Sequence, residues 1–493
     1  MSTTKDRHGA ERLEQFQQKC EAVLRPELRQ NALEQFQQKC EAVLRPELLE
    51  NKESELFRGL RKNRNASDKI VEHDDLRCRK EPPQPRISVI LPTFNRAAYV
   101  RAAIDSVLAQ TLPVHEFIVV DDGSDDGTHR EIERYSDRLR YIHQANQGKV
   151  AAIEAALAET TGDLVWIMDD DDIASPHALA ALAEPFRHHP DLVLSYGNLV
   201  KFTTTDWGGV LEGETPVYPT GDPRPFLVKI MEDCFITGHP CVLARRSAYE
   251  AMMPFDRSVT SSVDYYFHLA MALRGPAAFV DEIVLLQRQH AGARGPAAER
   301  YAESERVQRW KQSDRVLIER MLDDMTLAQF DPEPGSGAEG SPLKRRACLI
   351  QRASIAARKQ LWERALRDLS EAFAIEPDVA MTTLELYTLA RLLGCRYGIE
   401  EVHRDPAILS RLRKLGKSRP RESTIPGELG RPLLHQMKNA ARTRNPREFL
   451  RALRLWVRLM DVRSGVVASA AISRRVLRRA ARRAGIGSTP VYR

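Results

Sequence analysis

The chain has 493 residues, and its 74 basic side chains exceed the 68 acidic ones by only six charges. That length is enough for two to four domains of roughly 100–200 residues each, and the near balance of charge argues against a protein that binds nucleic acid over its whole surface. Seven cysteines without a CxxC pair fit neither a disulfide framework nor an ordinary zinc site. The sequence has no run of about eighteen apolar residues and no apolar signal core, so we expect a cytoplasmic protein without a membrane span.

Two identical segments lie near the amino terminus, because residues 13–28 return unchanged at 33–48. Their apolar side chains recur at helical spacing, which predicts two copies of a short amphipathic helix that arose by duplication. Two copies are too few for a solenoid, which needs about three repeats to bury a core. Residues 1–80 are therefore predicted as a helical and charged segment, followed by a Pro-rich linker at 81–86.

Four apolar runs then alternate with segments of helical periodicity. The runs are residues 87–91, 116–120, 139–142 and 164–168. Each run ends in a polar loop, and this alternation predicts an α/β fold with a doubly wound, mostly parallel sheet. Because the loops at the carboxyl ends of such strands meet in one crevice, we expect the functional site there.

Four consecutive carboxylates, Asp169 to Asp172, follow the last of these apolar runs. Four like charges at one strand end are electrostatically costly, and a bound divalent cation is the usual reason to keep them. The alternative is a solvated, Asp-rich turn before a helix that begins near Ser175 and Pro176. The residues alone leave both interpretations open.

Five motifs occur in order along this part of the chain: PTFNR at 92–96, VVDDGSDDGT at 119–128, NQGK at 146–149, TGDLVWIMDDDD at 161–172 and RQH at 288–290. In order and spacing they resemble the family-two glycosyltransferases of the GT-A fold, over about residues 86–294. The resemblance implies a GT-A domain at 87–300 that moves a sugar from a nucleoside-diphosphate donor, above all a UDP-sugar. It also implies a divalent cation, and oxygen ligands suit Mn²⁺ or Mg²⁺.

The resemblance assigns roles to individual residues. The nucleotide is expected against Pro92, Thr93, Asn95, Asp122, Gly148, Lys149, Asp169 and Asp170. The metal ligands are expected to be Asp169 and Asp171, with Asp171 nearest the cation, together with His290. Residues 263–267 are similar to the catalytic segment of the family, which makes Asp264 the candidate general base of an inverting transfer.

Three of these residues have a plainer alternative, since Asp122 also suits an Asx-turn, Asp264 a helix N-cap and His290 an ordinary surface position. The sequence departs from the family pattern at two points. Residues 152–154 read Ala-Ile-Glu where many relatives carry A-R-N, and Val263 replaces the acid that usually precedes the catalytic Asp.

By the same resemblance, residues 192–255 are expected to correspond to the half of the family's domain that shapes the acceptor site. They are rich in aromatic side chains, among them Tyr196, Trp207, Tyr218, Phe226 and Phe235. Aromatic faces stack on sugars, but such a density of rings is also typical of a protein core.

The rest of the chain is predicted as a helical extension at 301–330, a flexible linker at 331–341 and a helical domain at 342–493. Prolines 420, 426 and 432 are expected to break it before two final helices near 446–460 and 464–484. Residues 441–493 hold fourteen arginines against two acids. This excess predicts a basic amphipathic helix at an anionic membrane, with a solvated basic face as the alternative and nucleic acid as a minor one.

The sequence therefore favours a cytoplasmic, metal-dependent, inverting glycosyltransferase that acts on a glycan, lipid-linked or protein acceptor. The alternative is a catalytically silent GT-A module that serves as a binding or scaffold protein, and retention of Asp122, Asp169, Asp171 and Asp264 argues against it. A dinucleotide-dependent dehydrogenase is disfavoured because no GxGxxG follows the first strand.

Overall fold

The structure is a computed structural model that describes residues 84–204, 210–212, 218–219, 221–290, 303–394, 398–417 and 425–460. The described residues fall into two units. The smaller one includes residues 201–204 and 210–212, and the larger one includes residues 85–200 and everything described from residue 218 onward. The duplicated segments, the start of the Pro-rich linker, Trp207 and the tail from residue 461 lie outside the described residues.

A parallel sheet forms the first half of the larger unit. Its elements are β1 (Ile87–Thr93), α1 (Val100–Leu108), β2 (Glu116–Asp121), α2 (Thr128–Glu133), β3 (Arg140–His143), α3 (Lys149–Leu157) and β4 (Leu164–Ile167). The strands lie in the order β3-β2-β1-β4, and all three neighbouring pairs are parallel. All residues of β1 and β4 are buried, as expected for strands covered on both faces. The predicted alternation is confirmed.

An antiparallel extension continues the sheet beyond β4. It contains β5 (Ile173–Ala174), α4 (Ala178–His188), β6 (Leu194–Thr204), β7 (Val210–Glu212), α5 (Phe226–Glu232), β8 (Val242–Arg245), α6 (Arg246–Glu250), α7 (Val263–Ala272) and β9 (Ala277–Arg288). The full order is β3-β2-β1-β4-β8-β6-β9-β5, with β7 paired to β6. Because β9 pairs antiparallel with β5, the end of β9 lies beside the acid cluster that follows β4.

Four aromatic rings of the predicted acceptor half pack on one another and on a fifth ring from β9. They belong to Tyr196, Tyr218, Phe226, Phe235 and Phe279, and the ring centroids of the contacting pairs lie 5.4–6.1 Å apart. Tyr196 and Tyr218 are only 5% and 7% exposed. These side chains are therefore part of the hydrophobic core, and their faces are covered by each other.

The described residues from 303 onward are mostly helical, as predicted. Its helices are α8 (Glu303–Asp324), α9 (Pro342–Arg358), α10 (Trp362–Ala374), α11 (Thr383–Arg391), α12 (Gly398–Arg404), α13 (Pro406–Lys417), α14 (Ile425–Arg442) and α15 (Pro446–Leu459). The segment predicted as a linker between α8 and α9 is held by Lys344, whose Nζ lies 2.6 Å from the Glu333 carbonyl and 2.6 Å from Asp331 Oδ2. No helix of the described ranges is long and apolar enough to cross a bilayer.

The predicted breaks at Pro426 and Pro432 are wrong, because both residues lie within α14. Pro426 is the second residue of the helix, where a missing N–H costs nothing. Pro432 lies in the helix interior, where it removes one backbone hydrogen bond. The buried contacts of Leu429 and Leu433 on either side stabilise the helix despite that loss.

Candidate functional site at the ends of strands β1, β2 and β4

The loop after β1 is joined to the loop after β2 by four hydrogen bonds. The Asn95 N–H donates to Ser124 Oγ and the Asp125 N–H donates to Asn95 Oδ1, both at 2.9 Å. The Arg96 and Ala97 N–H groups donate to side chains of residues 128 and 126. Asn95 has a φ of 54°, a left-handed conformation that asparagine tolerates better than most residues. Its side chain therefore fixes the two loops to each other.

Asp122 holds the NQGK loop. Its buried carboxylate accepts hydrogen bonds from the Gln147 N–H (2.9 Å), the Gly148 N–H (2.7 Å), Gln144 Nε2 (2.7 Å) and Asn146 Nδ2 (3.1 Å). These partners lie 22 to 26 positions after Asp122 in the sequence. An Asx-turn would need a partner about two residues away, so that alternative is wrong. The four bonds match the roughly four acceptor sites of a carboxylate. A nucleotide base would have to replace one of them, and the contact of Asp122 with a nucleotide stays a prediction.

The role of Asp121 was not predicted from the sequence. Its Oδ1 accepts the Ser124 N–H at 2.8 Å, and its Oδ2 accepts the Tyr141 hydroxyl at 2.9 Å. The turn after β2 is thus closed by Asp121, the last residue of the strand, and Asp122 is left to organise the neighbouring loop. The Asp-Asp pair in the motif was the available signal, but the sequence does not say which carboxylate faces which loop.

Lys149 forms an ion pair with Asp169, another of the predicted site residues. Its Nζ lies 2.5 Å from Asp169 Oδ1, and the two side chains are 35% and 22% exposed. Burial opposes the charge on Lys149, but Asp169, Asp264 and Asp170 outweigh it and raise the pKa of the ammonium group. Lys149 is therefore a fixed positive charge among three carboxylates.

The acid cluster is not a solvated turn. Asp172 is 2% exposed and accepts the Arg288 N–H at 2.8 Å, and burial together with the charges of Asp171 and Asp169 raises its pKa well above the ordinary value. Asp170 Oδ2 accepts the Phe94 N–H at 3.3 Å. Burial and the neighbouring Asp171 raise the pKa of Asp170 to about 7. The following helix begins at Ala178, after the short strand β5.

Asp171 and His290 form the closest pair of predicted metal ligands. His290 Nε2 lies 2.8 Å from Asp171 Oδ2, and the side chains are 9% and 14% exposed, so the surface alternative for His290 is wrong. The Tyr99 ring lies 5.3 Å from the His290 ring and 5.1 Å from the Arg288 guanidinium carbon. Arg288 Nε also donates to the Asp171 carbonyl at 2.9 Å. No sequence motif indicated the contribution of Tyr99, which lies three residues beyond PTFNR.

Asp171 and His290 can supply only part of the ligand set of a divalent cation. Asp171 supplies oxygen and His290 supplies nitrogen, whereas Asp169 is paired with Lys149. Within the ranges that the structure describes, no three His, Cys, Asp or Glu side chains form a complete metal cage. Mg²⁺ is commonly held by one or two carboxylates plus substrate phosphates and water. The Asp171–His290 pair is compatible with that mode of binding.

Asp264 lies in the first turn of α7, where the helix dipole favours a negative charge. The N-cap of this helix is Ser262, so the N-cap alternative for Asp264 is wrong. Asp264 Oδ1 accepts the Tyr265 N–H at 2.9 Å. Burial raises the pKa of Asp264 to about 6, against the opposing charge of Lys149 and with further support from Asp169 and Asp314. A carboxyl with this pKa changes its charge near neutral pH.

The departure from the family pattern at Glu154 has a structural consequence. Glu154 Oε2 lies 2.6 Å from Arg257 Nη2, and Glu154 Oε1 accepts the Phe255 N–H at 3.3 Å. Arg257 Nη1 in turn donates to Gln147 Oε1 at 3.1 Å. Glu154 therefore connects the segment before α7 with the NQGK loop.

Part of the chain is similar to known glycosyltransferases. Residues 88–252 match the model of Glycosyl transferase family 2, and residues 6–159 match that of the GNT-I family. An uncharacterized glycosyltransferase of Nostoc sp. is 40% identical over 120 residues, which cover 22% of this chain and 37% of the relative. Chondroitin synthase of Escherichia coli is 26% identical over 202 residues, which cover 40% of this chain and 28% of that protein.

Among solved structures, S. aureus TarS 1-349 resembles the chain with a TM-score of 0.38 and 16% identity, over 74% of this chain and 89% of that one. At such a TM-score the likeness carries no argument about ligands. The chain spans less than half of the length of the first curated relatives that it matches. Residues 88–252 of this chain are therefore similar to the family-2 glycosyltransferases.

Proposed function

We propose that the protein is an inverting, metal-dependent glycosyltransferase with a nucleoside-diphosphate sugar donor, in particular a UDP-sugar, and a glycan, lipid-linked or protein acceptor. One observation carries the proposal. Lys149 pairs with Asp169, and the charges of Asp169 and Asp264 raise the pKa of its ammonium group, beside the Asp171–His290 pair. An anchored cation, a candidate base and a candidate metal-binding pair thus occupy the same end of the sheet.

In the proposed reaction Asp264 removes the proton from an acceptor hydroxyl. The freed oxygen forms a bond to the anomeric carbon of the donor while the bond from that carbon to the diphosphate oxygen breaks. The electron pair of the broken bond leaves with the nucleoside diphosphate, and the configuration at the anomeric carbon inverts. A pKa of about 6 suits this role, because a base is most effective when its pKa is near the working pH.

The leaving diphosphate gains negative charge, and the site offers positive charge to offset it. Lys149 and Arg96 lie at the acid cluster, with Arg96 Nε 3.5 Å from Asp170 Oδ1, and Arg288 lies behind Asp171. Mn²⁺ or Mg²⁺ held by Asp171 and His290 would supply additional counter-charge at the diphosphate. The chondroitin synthase match favours a polysaccharide among the proposed acceptors.

The direct test is a binding screen of UDP, GDP and dTDP against the full chain, with and without Mn²⁺, followed by release of nucleoside diphosphate from the corresponding sugars. We expect the tightest binding for UDP with Mn²⁺ and measurable release from a UDP-sugar. If UDP binds but no nucleoside diphosphate is released, and Asp264→Asn binds UDP as tightly as the wild type, the silent scaffold is favoured.

We also propose that the protein is cytoplasmic and associates with an anionic membrane surface through residues 441–493. Four arginines of α15, at 447, 451, 454 and 458, are exposed, and so are Leu450 and Val457. Basic residues near anionic lipid contribute roughly 1 kcal/mol each, and the attraction is lost in salt. Sedimentation with anionic and neutral vesicles tests this, using the full chain and a chain that ends at Asp461. Equal recovery of both in the supernatant with anionic vesicles at low salt contradicts the proposal.

A further inference from the structure

A buried ion pair lies directly beneath the candidate base. Lys359 Nζ is 3.0 Å from Asp314 Oδ2, and the two side chains are 5% and 10% exposed. Lys359 follows the last residue of α9, and Asp314 lies in the middle of α8. Both residues belong to the helical region that follows the family-2 match, which ends at residue 252. The pair is therefore supplied by a part of the chain to which no role has been given.

The pair contacts the residues on both sides of Asp264. Ser262 Oγ donates to Asp314 Oδ1 at 2.9 Å, and the Lys359 ammonium lies 4.5 Å from the centroid of the Tyr265 ring. The Tyr265 hydroxyl donates to the carbonyl oxygens of Ile230 and Met231, in the last turn of α5. The turn that carries Asp264 is thus fixed on its Ser262 side by Asp314 and on its Tyr265 side by Lys359 and α5.

The backbone at Ser262 explains why this turn needs such support. Ser262 has a φ of 54°, in the left-handed region that serine seldom adopts, and its hydroxyl does not cap the helix. A residue in this region persists where its surroundings fix it. The hydroxyl donates to Asp314 instead, so the angle at which the chain enters α7, and with it the direction of Asp264, depends on a residue 52 positions away.

A second buried network brings α9 into place. Glu232, at the end of α5, accepts from Gln351 Nε2 (2.9 Å), Ser354 Oγ (3.0 Å) and Arg224 Nη1 (2.7 Å). Burial would raise the pKa of Glu232, but Arg391, Arg224 and Arg358 outweigh it and lower that pKa. These contacts lie along one face of α9 that leads to Lys359. They attach the helix to the glycosyltransferase domain independently of the Lys359–Asp314 pair.

We propose that the Lys359–Asp314 pair is the positioning element of the candidate base, and that it makes the carboxyl-terminal helices a functional part of the transferase site. The inference rests on the proposed function of Asp264. A buried ion pair contributes little net stability, but it specifies geometry, because each charge must find its partner. The pair acts through Ser262 and Tyr265, so Lys359 and Asp314 are positioning residues and do not contact substrate.

The test measures release of nucleoside diphosphate by the full chain with Mn²⁺, using UDP-glucose, UDP-N-acetylglucosamine and GDP-mannose as donors. We expect Asp314→Asn and Lys359→Met to lower kcat by about 10–10²-fold, the effect of a misplaced catalytic group. The KM for the donor and the affinity for UDP should stay within about threefold, because the donor loops are untouched. Ser262→Ala removes a single atom, and we expect it to lower kcat without unfolding the protein.

Asp368→Asn is the matched control. Asp368, in α10, is also buried and forms a two-point ion pair with Arg352 of α9, at 2.8 Å for both bonds, and none of its hydrogen bonds to described residues reaches α7. Asp314→Asn and Asp368→Asn should both lower the melting temperature, and only Asp314→Asn should lower kcat. The double variant Asp314→Asn/Lys359→Met leaves no unpaired charge, so it should recover melting temperature without recovering kcat. Ser262→Ala combined with Asp314→Asn should lower kcat no further than either change alone.

The outcomes separate the inference from the proposed function. Wild-type kcat in Asp314→Asn and Ser262→Ala, together with loss of kcat in Asp264→Asn, would overturn the inference and leave the proposed function intact. Equal losses of kcat in Asp314→Asn and Asp368→Asn would mean that both arise from lowered stability of the fold. That result would also overturn the inference. No release from any of the three donors by the wild-type chain would overturn the proposed function and the inference together.

Discussion

The proposed donor side and the proposed base side of this site are built in different ways. On the donor side, the partners of Asp122 lie 22 to 26 positions along the chain, in the loop that follows the adjacent strand. On the base side, the turn that carries Asp264 is fixed by Asp314, 52 positions beyond Ser262, and by Lys359, a further 45 positions along. Short motifs at strand ends therefore form one side, and tertiary contacts with a separate helical region form the other.

The largest effect that tests this comparison is expected from Asp264→Asn. Asparagine keeps the size of the side chain but cannot accept a proton, so kcat should fall by about 10²–10⁴-fold. UDP affinity should change little, because the donor loops are joined by hydrogen bonds that do not involve Asp264. These bonds link Asn95 with Ser124 and Asp122 with Gly148. Turnover of the nucleotide sugar and titration with UDP measure the two quantities separately.

Asp281→Asn provides the control for that substitution. Asp281 is exposed and accepts from Asn198 Nδ2 at 2.9 Å, away from the site. Its loss should change kcat by no more than about twofold. If Asp264→Asn and Asp281→Asn had the same kcat, Asp264 would not be the base.

The next largest effect is expected at the acid cluster. Asp171→Asn removes a charged ligand from the Asp171–His290 pair, and we expect Mn²⁺-dependent UDP binding to weaken by about 10–100-fold. Asp170→Asn should be milder, because the pKa of Asp170 is already raised to about 7 and an amide resembles its neutral form. Titration with UDP at several Mn²⁺ concentrations measures both, and equal losses would count against Asp171 as the principal metal ligand.

A smaller effect is expected from pH. Asp264 acts as a base only when ionised, and burial raises its pKa from 3.8 to about 6. The value of kcat/KM should therefore rise about tenfold per pH unit below pH 6 and level off above it, instead of levelling off near pH 4. Asp170 titrates near pH 7, so the profile should also be measured in Asp170→Asn. If the rise in kcat/KM near pH 6 persists in Asp170→Asn, the titrating group is Asp264. If the rise disappears, the titrating group belongs to the acid cluster.

The parallel half of the fold could be predicted because β1, β2 and β4 are buried on both faces and read as continuous apolar runs. The position of the acid cluster followed from the same pattern. The end of β9 could not be placed from the sequence, because its antiparallel pairing with β5 depends on only two pairs of residues. That pairing brings His290 to Asp171, and only the resemblance had suggested it.

The roles within the site were harder to predict than its location. Asp122 faces the NQGK loop and Asp121 closes the turn, although both residues belong to one motif and carry the same charge. Asp264 was identified by resemblance, but no local pattern reveals that Asp314 and Lys359 fix its turn. The orientation of a buried side chain depends on contacts between distant segments, and a sequence period does not record such contacts.

The smallest effect concerns a series of polar contacts between the two sides, which runs from Glu154 through Arg257 to Gln147. We expect Glu154→Gln to raise the KM for the donor by about two- to threefold, because Arg257 is 56% exposed and such pairs contribute at most about 1 kcal/mol. The kcat should not change, since Ser262 and Tyr265 keep their partners. Glu250→Gln, which breaks the exposed pair with Arg246, is the matched control and should change neither constant. A fall in kcat without a change in KM would mean that Glu154 supports the base, and the two sides would then not be built independently.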